Sequence, residues 1–137
     1  TLTGKKAQVL GNPDLLHTQT YMKDIGKSLV VLSENDDAFG QVWHLPNPET
    51  VTTREFIEKV FRETGHKVRI QAASKTLVKL MGLFNPQLRE MVEMFYQFEE
   101  PFVVDDSKFK NAFGDVATPL DQAIRETVEW YRAHPNA

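Results

Sequence analysis

The chain has 137 residues, a formal charge of -3, 41% hydrophobic and 26% charged residues, and no cysteine. That size and balance exclude disorder and support one folded domain over residues 1–137 with a substantial core. The sixteen basic residues form no long run, which excludes nucleic acid and acidic membranes as natural partners, and the lack of cysteine excludes disulfides and thiolate metal sites and fits the cytoplasm.

Lys5 to Leu10 reads as a short strand ending at the turn formers Gly11, Asn12, Pro13 and Asp14. Thr1 to Leu10 contains no apolar signal-peptide core, and the absence of an initiator methionine suggests a piece excised from a longer chain. From Tyr21 to Glu34, Met22, Ile25, Leu29 and Leu32 recur at helical spacing. Val30 and Val31 widen that stripe, so a helix with one strongly buried apolar side is expected. Asn35, Asp36 and Asp37 end it. Gln41 to Leu45 is rich in strand formers and stops at Pro46, which predicts a short strand.

Thr52 followed by Glu55 is a capping box, so a helix should begin near Thr53. Phe56, Ile57, Val60 and Phe61 form its core face, and Gly65 is placed to close it in the left-handed conformation. Lys67 to Gln71 alternates as a half-buried strand does, and Ser74 caps a short helix reaching Leu80 or Met81. Asn85 and Pro86 start the next helix, with Leu88, Met91, Val92, Phe95 and Phe98 on one side. Pro101 interrupts it, Phe102 to Val104 is extended, and Asp105 or Asp106 caps a brief helix ended by Gly114. The last helix takes Thr118 as cap and Pro119 as its first residue. Its inner face is Leu120, Ala123, Ile124, Thr127, Val128 and Tyr131. No apolar run approaches the roughly 18 residues of a membrane span. The chain is therefore mostly helical with a few short strands.

The chemistry is notable for what the spacing excludes. The glycines are too far apart for a GxGxxG or Walker loop. Tyr21, Tyr96 and Tyr131 are followed four residues later by Ile25, Glu100 and Pro135, so none has the lysine that would lower a phenol pKa for proton transfer. No GxSxG or HExxH occurs. His17, His44, His66 and His134 lie in separate elements, so no metal site is expected. Glu90 and Glu93 share a helix face that reads as a carboxylate pair or a solvated surface, and Asp105-Asp106 reads as a helix cap. Met91, Met94, Phe95, Tyr96 and Phe98 form either a packed patch or a pocket wall. On the strand, Trp43 and His44 would point to opposite sides, one to the core and one to a ligand. His17 stands between a turn and a helix, where binding residues collect.

The ordered series resembles the C-terminal part of extended short-chain dehydrogenase/reductases, the NAD-dependent epimerase/dehydratase family. His17 to Leu32 with Asp24, then Gln41 to Pro46 and Thr52 to Gly65, are similar to successive elements there. So are Asp105-Asp106-Ser107-Lys108-Phe109, Phe113-Gly114, Thr118-Pro119-Leu120 and Thr127 to Tyr131. Glu90 to Phe98 is similar to a subgroup of uncharacterised members. The resemblance implies an α/β protein whose C-terminal substrate-binding portion, α+β when isolated, is this chain. It also implies an N-terminal Rossmann domain elsewhere in the parent, bearing the glycine-rich loop, the Tyr-x-x-x-Lys pair and NAD or NADP. The chain itself would then bind no cofactor and carry no catalytic residue. It would contribute substrate contacts from His17, Tyr21, His44 and Tyr96, and a homodimer or element swap is expected of the isolated piece. Where sugar-nucleotide members carry a phosphate-binding arginine, His17 stands here, which implies a smaller or less charged substrate. Two other readings are a non-catalytic NAD(P)-responsive regulator and a protein-interaction module.

Overall fold

The computed structural model describes residues 3–135, with the side chains of Met81 and Leu88 outside that description. Thr1 and Leu2, and the inward placement expected of Leu88, lie outside the described residues. In chain order the elements are β1 (Ala7–Leu10), β2 (Leu16–His17), α1 (Met22–Ser33), β3 (Val51–Thr52), α2 (Thr53–Thr64), β4 (Ile70–Ala73), α3 (Lys75–Gly82), α4 (Pro86–Glu93), α5 (Ser107–Phe113) and α6 (Leu120–Ala133). Single 3₁₀ turns follow α1 and α4 at Asp36–Ala38 and Phe95–Phe98. The fold is a mixed α/β piece, mostly helical, with two small sheets.

β1 runs parallel to β4, pairing Ala7 with Ile70 and Leu10 with Ala73. β2 runs antiparallel to β3, and His17 also bridges to Phe102 on its other side. The strand expected at Lys67–Gln71 thus forms three residues later, where β1 offers a partner. Gln41 to Leu45 forms no strand. A strand needs a neighbour to take its amides and carbonyls; here the Val42 carbonyl accepts from Lys108 Nζ at 3.0 Å, and Val42 is 82% exposed.

Local caps decide several boundaries. Thr52 and Glu55 form the capping box in both directions, and Gly65 closes α2 at φ 75°. Asn85 accepts from the Gln87 amide, with Pro86 opening α4. α4 stops at Glu93, and the stretch expected to continue as helix tightens into the 3₁₀ turn, which still buries Phe95. Gly11, at φ 69°, turns the chain out of β1 so close to Phe98 that an added Cβ would stand 2.2 Å from its carbonyl oxygen. Only glycine fits there.

The principal core joins α2 and α6, with Leu120, Ile124 and Val128 buried against Val51, Phe56 and Val60. A second centre stacks Trp43 against Phe113 at 5.0 Å and Phe109 at 6.4 Å, with Phe109 fully buried.

α1 keeps its expected orientation only in part: Ile25, Val31 and Leu32 of the apolar stripe are half-buried. Its buried residues are Asp24 and Ser28, whereas Met22 (76%), Leu29 (56%) and Val30 (54%) are exposed. The Asp24 carboxylate holds this polar side of the helix inward. It accepts from the Thr118 amide and hydroxyl, both at 2.7 Å, and from Lys27 Nζ at 2.8 Å. Burial alone would raise its pKa, but the hydrogen bonds from Lys27 and Thr118 outweigh it and hold the carboxyl below its ordinary value. Thr118 consequently does not cap α6 with its own side chain, and α6 begins at Leu120 after Pro119. Helical periodicity identifies an apolar stripe but not which face meets the protein.

Candidate functional site

His17 is the best-positioned of the candidate residues. β2 holds it between β3 and the Phe102 segment, where the Thr18 amide donates to the Phe102 carbonyl at 2.8 Å and the Phe102 amide to the Leu16 carbonyl at 2.9 Å. The Thr18 hydroxyl also accepts from the Val104 amide at 3.0 Å. These bonds fix the backbone on both sides of His17, and its ring lies 5.7 Å from that of Phe102.

The same arrangement creates a cleft of about 500 Å³. His17, Gln19 and Phe102 border it from the strand side, and Tyr96, Gln97 and Glu100 from the 3₁₀ turn and the residues after it. The Asn12 amide, donating to the Phe98 carbonyl at 3.0 Å, ties that turn to the end of β1. His17 and Tyr96, 79 positions apart in sequence, therefore face one cavity. Imidazole, phenol and two carboxamides provide hydrogen-bond donors and acceptors, with Phe102 as an apolar wall. Among the described residues no lysine or arginine borders the cleft, and Glu100 contributes a carboxylate.

Tyr21 and His44 lie elsewhere. The Tyr21 hydroxyl donates to Glu126 at 2.8 Å, and Glu126 also accepts from Lys23 at 2.7 Å and Gln122 at 2.9 Å. The Lys23 ammonium, then the Gln122 and Tyr21 hydrogen bonds, depress the Glu126 pKa to about 2. Burial, followed by the Glu126 carboxylate, raises the Tyr21 phenol. Tyr21 borders a separate cavity of about 540 Å³ between α2 and α6. Thr127 and Tyr131, expected inside α6, stand at that cavity and remain exposed. His44 Nδ1 lies 2.9 Å from the Asp105 carbonyl, and its exposed ring borders neither cavity. Asp105 accepts from the Ser107 amide at 3.0 Å, and Asp106 from the Asn47 amide at 2.6 Å. The acidic pair thus joins α5 to the loop before β3.

Gln19, Gln97, Glu100 and Phe102 were not legible as site residues. Gln19 and Gln97 lie in segments that carry the resemblance but form no motif of their own, and the β2 bridge to Phe102 and the 3₁₀ turn bring all four to the cleft.

The five glycines at positive φ are isolated in separate turns. The α2 amino terminus is closed by its own capping box, and the Thr118 amide just before α6 is taken by Asp24. Among the described residues no group of three histidines or carboxylates is arranged around a metal position, and no helix is long and apolar enough to cross a membrane.

The fold is a mixed α/β unit of short strands and packed helices. Two solved structures share it: a "putative epimerase" from Burkholderia cenocepacia J2315 and gox2253. The first matches at TM-score 0.64 and 18% identity, over 93% of this chain and 36% of its own. The second matches at TM-score 0.71 and 14% identity, over 97% of this chain and 41% of its own. The likeness is one of fold, and the chain spans well under half the length of either neighbour. No family model and no curated protein matches the sequence.

Proposed function

We propose that this chain is the C-terminal, substrate-binding part of an NAD(P)-dependent epimerase/dehydratase or related short-chain oxidoreductase, inactive alone. The observation that carries the reading is the convergence of His17 and Tyr96 on one polar cleft within an epimerase-related fold. The N-terminal Rossmann domain of the same parent supplies the dinucleotide. The exposed apolar residues Met22, Leu29 and Val30 of α1 support such a partner, because apolar side chains turned to solvent together favour being covered. The cytoplasm suits a cysteine-free chain of this kind.

Within the cleft, His17, Tyr96, Gln19 and Gln97 orient a small substrate through its oxygen atoms, while Phe102 covers an apolar edge. Absence of basic lining and the presence of Glu100 disfavour phosphate-bearing ligands, so the substrate is a small, uncharged carbonyl or hydroxyl compound. When bound, the nicotinamide supplies hydride chemistry; this chain contributes binding and orientation.

The test uses the intact gene product, with NADH and NADPH binding followed by fluorescence and turnover measured across an alcohol and aldehyde panel. His17→Ala and Tyr96→Phe are expected to lower kcat/KM by about tenfold each, equivalent to about 1.4 kcal/mol, with cofactor affinity unchanged. Failure to bind either cofactor refutes the proposal. Cofactor binding without turnover favours a regulator.

A further inference from the structure

The second cavity, bounded by α2, α6 and the segment before α1, has no part in the substrate reading. Its volume of about 540 Å³ lies in the range of small-molecule sites. Phe56, Val60, Leu120, Ala123, Ile124 and Val128 give it an apolar wall continuous with the principal core. Among the described residues no charged side chain borders it.

Three of its hydroxyl groups have their protons engaged: Thr20 donates to Asn47 Oδ1 at 2.5 Å, Tyr21 to Glu126 at 2.8 Å, and Thr127 to the Ala123 carbonyl at 2.7 Å, leaving their oxygen lone pairs as acceptors. Thr3 and the Gln19 carboxamide bring groups that can donate to the same cavity. A hydroxyl, which both donates and accepts, matches this set. An ammonium would lack a counter-ion, and a carboxylate would lose its hydration with no cation to compensate it.

We propose that this cavity is a binding site for an uncharged, largely apolar alcohol, whose body packs on α6 and whose hydroxyl donates to Thr127, Thr20 or Tyr21. Gln19 borders both this cavity and the cleft at His17, but Thr20, Tyr21 and Thr127, which receive the hydroxyl, do not border that cleft, and the site calls for no dinucleotide.

The probes are 1-octanol, octanoate and octylammonium, titrated into the protein and followed by methyl NMR at Ala123, Ile124 and Val128. Saturable shifts with 1-octanol are expected, at an affinity about tenfold or more above either charged analogue. Ala123→Leu, which fills the cavity, should abolish them with circular dichroism unchanged. Thr127→Val preserves volume but removes an acceptor and should weaken 1-octanol binding about threefold or more; it provides the test should Ala123→Leu unfold. Equal affinity for the three probes, absence of saturable shifts, or unchanged binding in a folded variant overturns the site. These readouts involve neither cofactor nor turnover, so their failure leaves the enzymatic proposal standing, and the reverse also holds.

Discussion

Asp24 should be the most damaging single polar site in the chain. Its carboxylate is fully buried and accepts three hydrogen bonds, two from Thr118 and one from Lys27. In Asp24→Ala the Thr118 amide loses its acceptor in a buried site, at a cost of about 1–3 kcal/mol. The Thr118 hydroxyl loses a charge-assisted bond of similar strength but can rotate, which lessens its share. Lys27 is half exposed, so its freed ammonium rehydrates and adds under about 1 kcal/mol. The sum is about 3–5 kcal/mol, a large fraction of the roughly 5–15 kcal/mol that stabilises an ordinary domain. Asp24→Asn retains the volume and one acceptor oxygen and should cost about half as much. Urea unfolding, followed through Trp43 and Trp130 fluorescence, measures both, and the alanine variant should melt about 12–20 °C lower. A loss under about 1 kcal/mol in Asp24→Ala, or a larger loss in Asp24→Asn, refutes the assignment of Asp24 as the joint between α1 and the start of α6.

Gly11→Ala should destabilise by about 2 kcal/mol or more, because it combines left-handed backbone strain with a clash at Phe98; an unchanged urea midpoint would refute this. Thr52→Ala should cost about 1 kcal/mol through loss of the α2 cap, detectable by the same unfolding measurement. Stability should fall in acid. The folded Asp24 and Glu126 carboxyls lie below their ordinary values of 3.8 and 4.5, so their contribution is complete above those values. It is lost as pH descends through the folded values, about 2 for Glu126. Glu126→Gln should therefore flatten the decline between about pH 4.5 and 2 in stability measured against pH; an unchanged slope counts against the Tyr21–Lys23–Glu126 cluster.

The local devices were legible in the sequence because their partners are near neighbours. Thr52 and Glu55 cap α2 within one turn, Asn85 and Pro86 open α4, and Gly65 ends α2 through its own backbone. Composition and periodicity likewise supported a mostly helical α/β piece. Pairing and orientation were decided in three dimensions. Gln41 to Leu45 has strand composition but no partner, while β4 forms where β1 meets it. The α1 stripe has a clear helical period, yet Asp24 turns its polar face inward through Thr118, 94 residues away. His17 and Tyr96 were recognisable as candidates, but their shared cleft depends on the β2 bridge to Phe102 and the turn packed against Gly11. Short-range hydrogen bonding and helical period can be read along the chain; strand partners, the buried side of a helix and the walls of a cavity depend on residues far apart in sequence, and only the tertiary structure selects them.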